Sequence, residues 1–165
     1  MTSRRFAQVD VFTATPLLGN PVAVVLDAEG LTTQQMQAFC NWTNLSEVTY
    51  LVPPTDPAAD YAVRIFCPGK ELAFAGHPTL GTCHAWLESG GIPRGEVIVQ
   101  ECGVGLIPIR REAGVLAFGA PPRLRTGPLE ASHLAAVVAA LRIHPAQVVR
   151  HEWCDNGANW VGIQL

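Results

Sequence analysis

Apolar and polar residues alternate at the start of the chain, with Ala7, Val9 and Val11 set against Gln8 and Asp10, which predicts a half-buried strand over residues 6–13. Leu18-Gly19-Asn20-Pro21 makes a turn, and the apolar run 22–27 suits a second strand covered on both faces, the two forming an antiparallel start. Leu31, Thr32, Gln35 and Met36 fit a capping box inside a hydrophobic staple, so a helix begins after Thr32. It turns Met36, Phe39, Cys40 and Thr43 inward and ends at Asn44, which tolerates a left-handed C-terminal conformation. In the strand that follows, Val48, Tyr50 and Val52 share one face while Glu47, Thr49 and Leu51 share the other. Glu47 thus stands at the mouth of a strand, where a carboxylate is either an ordinary solvent-facing residue or a site group. Residues 53–57 form a rigid surface turn, and 61–67 is a further strand with Tyr61, Val63, Ile65 and Cys67 opposite Arg64.

The stretch 71–84 organises the rest. A strand-like apolar run breaks at Gly76, turns through His77 and meets Pro78, where a helix can begin because proline suits the first helical position. Backbone N–H groups after such a turn lack intrahelical partners and carry the positive end of the helix dipole, a ready site for a carboxylate or phosphate. Leu80, Cys83 and Leu87 recur at helical spacing as a buried face, and Gly90-Gly91 ends the helix. The plainer alternative is a core helix reached through a Gly-Pro turn that binds nothing, with His77 bonded to nearby backbone. Cys83 and His84 are adjacent, and helical neighbours point about 100° apart, so they make a poor nucleophile–base pair.

Residues 95–101 and 104–110 read as a hairpin around Cys102-Gly103, and 115–118 adds a strand. Ala120-Pro121-Pro122 marks a crossing toward a second domain. A helix over 129–142 then presents Leu134, Val137, Val138 and Leu141 to a core, and two strands, 147–153 and 159–165, flank Asp155-Asn156-Gly157. The last strand is apolar and uncapped, so its unpaired edge predicts association with a partner or a second copy.

Composition narrows the function classes. With 165 residues, 48% hydrophobic and 15% charged, the chain has ample core-forming material. A net charge of −3, with no basic run beyond Arg110-Arg111, disfavours nucleic acid and anionic membrane as partners, leaving a small molecule. The first residues, Met-Thr-Ser-Arg-Arg-Phe, pass into the first strand without a signal-peptide apolar region, and no run approaches the ~20 apolar residues of a membrane span. Five widely spaced cysteines without CxxC indicate neither a disulfide framework nor zinc, and point to the cytoplasm. Motifs for metal, nucleotide and flavin are lacking, so no cofactor is expected.

Taken together, Asp10-Val11-Phe12-Thr13, Gly19-Asn20-Pro21-Val22-Ala23-Val24, Asn44-Leu45-Ser46-Glu47 with Thr49-Tyr50, Arg64-Ile65-Phe66 and residues 71–82 resemble, in order and spacing, the PhzF family of phenazine-biosynthesis isomerase-like proteins. The resemblance implies an α+β, diaminopimelate epimerase-like fold in which two similar domains each wrap a β-barrel-like mixed sheet around a central helix, with the active site between them. Residues 1–120 would be the first domain, its central helix near 78–89, and 121–165 the start of a second, incomplete one. In the family the glutamate of the Ser-Glu motif moves a proton along a conjugated substrate, a role that falls on Glu47. Gly76 and His77, with Pro78 and Thr79, would bind a small carboxylate-bearing cyclic substrate. Related racemases exchange the proton between two cysteines; here Gly76-His77 stands where the first would lie, which disfavours that chemistry. The expectation is a cofactor-independent isomerase, homodimeric or associating through the C-terminal edge strand, with little activity if half the cleft is absent. The alternatives are a non-catalytic binding or assembly subunit and a cysteine hydrolase using Cys83 or Cys102.

Overall fold

The computed structural model describes residues 3–165, which divide into two compact units, one ending at Ala120 and one spanning Pro121–Leu165. The first unit holds strands β1 (Phe6–Val11), β2 (Asn20–Val25), β3 (Val48–Val52), β4 (Tyr61–Cys67), β5 (Lys70–Leu72), β6 (Val97–Cys102), β7 (Gly105–Glu112) and β8 (Val115–Phe118), with helices α1 (Thr33–Thr43) and α2 (Gly76–Glu88). Seven strands run in the order β1-β2-β3-β4-β6-β7-β8, and β5 pairs with β4. Among the described residues only β2/β3 and β4/β6 are parallel, because α1 and α2 respectively carry the chain across at those joints.

Alternation along the strands sorts two cores. Val22 and Val24 of β2, Leu51 of β3, and Val63 and Ile65 of β4 face inward with Cys83 and Ala85 of α2, while Ala23, Val25, Val48, Tyr50 and Phe66 point outward onto Met36 and Cys40 of α1. The sheet curls, because α2 touches both β1 and β8, its two edges. Consequently α2 is buried nearly all round, from His77 through Ala85, and not along the single stripe expected from Leu80, Cys83 and Leu87; Leu80 and Leu87 are only partly buried. A Cβ on Gly81 would overlap Val22 Cγ1, so this glycine is what lets the helix lie against β2.

The caps of α1 follow the sequence. Thr32 Oγ1 accepts the Gln35 N–H, Gln35 Oε1 accepts the Thr32 N–H, and Asn44 closes the helix at φ 56°. Of its expected inward residues, Met36 and Cys40 are buried, while Phe39 and Thr43 are partly so. α2 begins at Gly76, two residues before Pro78, so proline occupies its third position; its missing N–H still falls among the donors that no helical carbonyl could have met.

In the second unit, α3 (Ala131–Leu141) precedes an antiparallel pair, β9 (Arg150–Trp153) and β10 (Val161–Gln164). Within α3 Val138 is buried and Leu134 and Val137 are half-buried, as expected, while Leu141, the fourth expected residue, is 53% exposed. The strand expected from residue 147 starts at Arg150, since Pro145–Gln147 forms a 3-10 turn capped by His144. The Asp155-Asn156-Gly157 turn is built on Asp155 Oδ1, which accepts the N–H groups of Gly157 and Asn159, both at 2.9 Å. Among the described residues no helix is long and apolar enough to cross a membrane.

Candidate active site

The site forms where the mouth of β3 meets the first turn of α2. Asn44 ends α1 in a left-handed turn, Ser46 Oγ donates to Asn20 Oδ1 at 3.4 Å, and the Glu47 carbonyl accepts the Ala23 N–H at 3.4 Å, extending the β2–β3 ladder by one residue. Glu47 is therefore locked into strand phase before β3 begins. By alternation it shares the inner face with Thr49, whose hydroxyl accepts from Thr82 Oγ1 of α2 at 2.8 Å. That phase aims the carboxylate at the helix and not at solvent.

His77 lies in the first turn of α2, its Nε2 3.4 Å from Glu47 Oε2. The His77 side chain is 8% exposed and that of Glu47 16%. Neither Glu47 Oε2 nor His77 Nε2 has a hydrogen-bond partner within the fold. Burial lowers the pKa of His77 from its ordinary value, against the opposing pull of the Glu47 charge and of a hydrogen bond to the Pro21 backbone. His77 Nε2 and Glu47 Oε2 thus face each other across this corner. With no other partner in the fold, both atoms are left open to a bound molecule.

The remaining expected residues divide by what they touch. Gly76 and His77 carry first-turn N–H groups that no helical carbonyl can meet, and the cap residue Ala75 has no side-chain acceptor to offer them. A Cβ on Gly76 would stand 3.0 Å from Phe118 Cζ, so the ring of Phe118, itself packed on Phe74, borders this corner. Pro78 is buried and has no donor. Thr79 is wholly buried: its N–H and hydroxyl both go to the Ala75 carbonyl, at 3.2 and 2.9 Å, and its hydroxyl accepts from Gln100 Nε2 at 3.1 Å. Tyr61 OH donates in turn to Gln100 Oε1 at 3.1 Å. This chain, Tyr61 to Gln100 to Thr79 to the Ala75 carbonyl, pins the first turn of α2 from beneath.

Sequence reasoning passed over Gln100 and Phe12. Alternation puts Gln100 on the same face of β6 as buried Ile98, and a polar residue at an inward position signals a network. Phe12 reads as one more strand residue; instead it is left-handed at φ 67°, with its ring 6.4 Å from that of His77. No periodicity announces that conformation.

The cysteines do not form a competing site. Cys83 is fully buried, and burial pushes its thiol up to about 11, while burial also raises Cys102. Both therefore stay protonated at neutral pH, the reverse of what a thiolate nucleophile needs. No group of three His, Cys, Asp or Glu side chains among the described residues could hold a metal ion. A concavity of about 700 Å³ between α1 and the outer face of β1, lined by Phe6, Phe39 and Trp42, lies outside this corner; Arg5 at its rim is already held by Asp27.

The sequence pattern of the PhzC-PhzF family, described as phenazine biosynthesis-like protein, matches residues 9–165. The chain is 40% identical over 173 residues to antisense-enhancing sequence 1 of Schizosaccharomyces pombe, covering all of this chain and 58% of that protein. It is 46% identical over 81 residues to the trans-2,3-dihydro-3-hydroxyanthranilate isomerase of Pseudomonas aeruginosa, covering 49% of this chain and 29% of that enzyme. Among solved structures, a predicted epimerase from Pseudomonas aeruginosa superposes with a TM-score of 0.73 at 26% identity, over 92% of this chain and 56% of that one. The chain thus spans little more than half the length of the relatives it matches end to end. Because the family match runs from residue 9 to residue 165, the chain belongs to the phenazine biosynthesis-like (PhzF) family.

Proposed function

We propose that this chain contributes a PhzF-type isomerase site in which Glu47 is the general acid/base. The observation that carries the reading is the Glu47 Oε2 to His77 Nε2 approach of 3.4 Å between two buried atoms without other partners. An isomerase that moves a proton within one substrate needs a single group able to remove it from one carbon and return it to another. The free N–H groups of Gly76 and His77 receive the substrate carboxylate at the positive end of α2. Pro78 and Thr79 serve the site by shape and support, Pro78 filling the first turn and Thr79 fixing the Ala75 carbonyl.

The substrate that the relatives' names suggest is trans-2,3-dihydro-3-hydroxyanthranilate, a cyclic, unsaturated amino acid. Deuterium uptake into it from heavy water, followed by NMR, tests the reading. Glu47→Gln keeps the shape and removes the base, so exchange falls by about a hundredfold or more, the scale of a positioned acid/base. Undiminished exchange in the variant would remove Glu47 from the mechanism. If neither protein exchanges while the substrate still shifts the His77 resonance, the corner binds without turning over.

A further inference from the structure

The residue that follows β1 is held in a backbone conformation that its side chain disfavours. Phe12 sits at φ 67° and Leu17, five residues on, at φ 69°. Bulky L-residues enter the left-handed region only when their surroundings force them to. The loop that follows Phe12 is fixed by polar groups of its own and of β1. Asp10 Oδ2 accepts the Leu17 N–H at 2.7 Å and the Gly19 N–H at 3.4 Å. Thr13 Oγ1 donates to the Thr15 carbonyl at 2.8 Å and accepts the Thr15 N–H at 2.9 Å, and the Leu18 N–H reaches the same carbonyl at 3.3 Å. A Cβ on Gly19 would overlap the Val11 carbonyl oxygen and Asp10 Oδ1, so glycine alone lets the loop close onto Asp10.

Phe12 gains no burial from this, since it remains 70% exposed. What the loop achieves is placement: the Phe12 ring stands 6.4 Å from the His77 ring, tilted by 51°. Backbone strain held by surrounding structure is a feature of ligand-binding corners. An aromatic face at this position can pack on the flat ring of an acid whose carboxylate meets the first turn of α2. We propose that Phe12 is a specificity-determining residue of the site, a wall that selects planar, unsaturated rings over saturated ones, and that Asp10 is the positioning residue that holds it there. This rests on the assignment of the site to Glu47 and His77.

Binding of two probes, planar anthranilate and saturated cyclohexanecarboxylate, is read from the His77 imidazole resonance by NMR. The wild-type protein prefers anthranilate. Phe12→Leu keeps an apolar side chain but removes the aromatic face, and lowers that preference about three- to tenfold, the range of one aromatic contact. Asp10→Ala moves the preference in the same direction with Phe12 present, which a merely structural loop residue would not do. A Phe12→Leu protein that keeps the wild-type preference overturns the proposal and leaves the site assignment standing. If neither acid moves the His77 resonance in the wild-type protein, the site assignment fails first and the role of Phe12 falls with it.

Discussion

His77 shows how a residue's chemistry depends on where its helix begins. Placed in the first turn of α2 and almost fully buried, its imidazole is neutral near pH 7, because burial lowers its pKa more than Glu47 and the Pro21 carbonyl raise it. The stability consequence has a definite sign. Since the folded pKa lies below the unfolded value of about 6.5, the unfolded chain binds this proton first on acidification. The contribution of His77 is therefore whole above about pH 6.5 and is lost as the pH falls through the folded value. Urea unfolding at several pH values between neutrality and pH 5 should show a shallower acid loss in His77→Gln than in the wild-type protein; equal slopes would mean that another group carries it. The candidate chemistry of Glu47 and His77 was legible as motifs, but residue spacing left open whether Glu47 faces water. Its inward aim depends on the ladder bond from Ala23 to the Glu47 carbonyl, which no local pattern encodes.

At the scale of elements, α1 and α2 differ in how much their own residues declare. The start and stop of α1 are written locally, in Thr32, Gln35 and Asn44, because capping involves groups three or four residues apart. Burial around α2 is instead set by a sheet whose strands come from both sides of it in the chain, so the stripe of Leu80, Cys83 and Leu87 understates it. Gly81 is the sharpest point of contact. Gly81→Ala would gain about 1 kcal/mol of helix propensity, but its methyl must displace Val22, a β-branched residue in a fully buried position, at about 1–3 kcal/mol for overpacking. A net loss of stability is expected, visible as a lower thermal midpoint. A rise would show that α2 can move off β2 freely. The misjudged Leu141 of α3 has the converse origin: a helical apolar stripe states what a helix could bury, while its exposure depends on how much surface is set against it.

The first unit as a whole keeps its reactive groups apart. Cys40 and Cys83 lie on opposite faces of the sheet, each fully buried, with burial pushing each thiol up to about 11. Iodoacetamide applied to the native protein at neutral pH should leave both unmodified and label at most Cys67, Cys102 and Cys154, as peptide mapping would show. Labelling of Cys83 without denaturant would mean that α2 opens readily. What the chain's own sequence determined are the features that local periodicity and short-range polar pairing control: the strands around residues 6–11, 20–25, 48–52, 61–67, 97–112 and 115–118, both caps of α1, and membership of a family whose motifs it carries in register. Only the tertiary structure decided that Glu47 meets His77, that Gln100 and Tyr61 brace Thr79, and that Phe12 turns left-handed beside the imidazole. Each of those contacts joins residues from different elements, and its distance follows from how the sheet curls around α2, a property of all its strands at once.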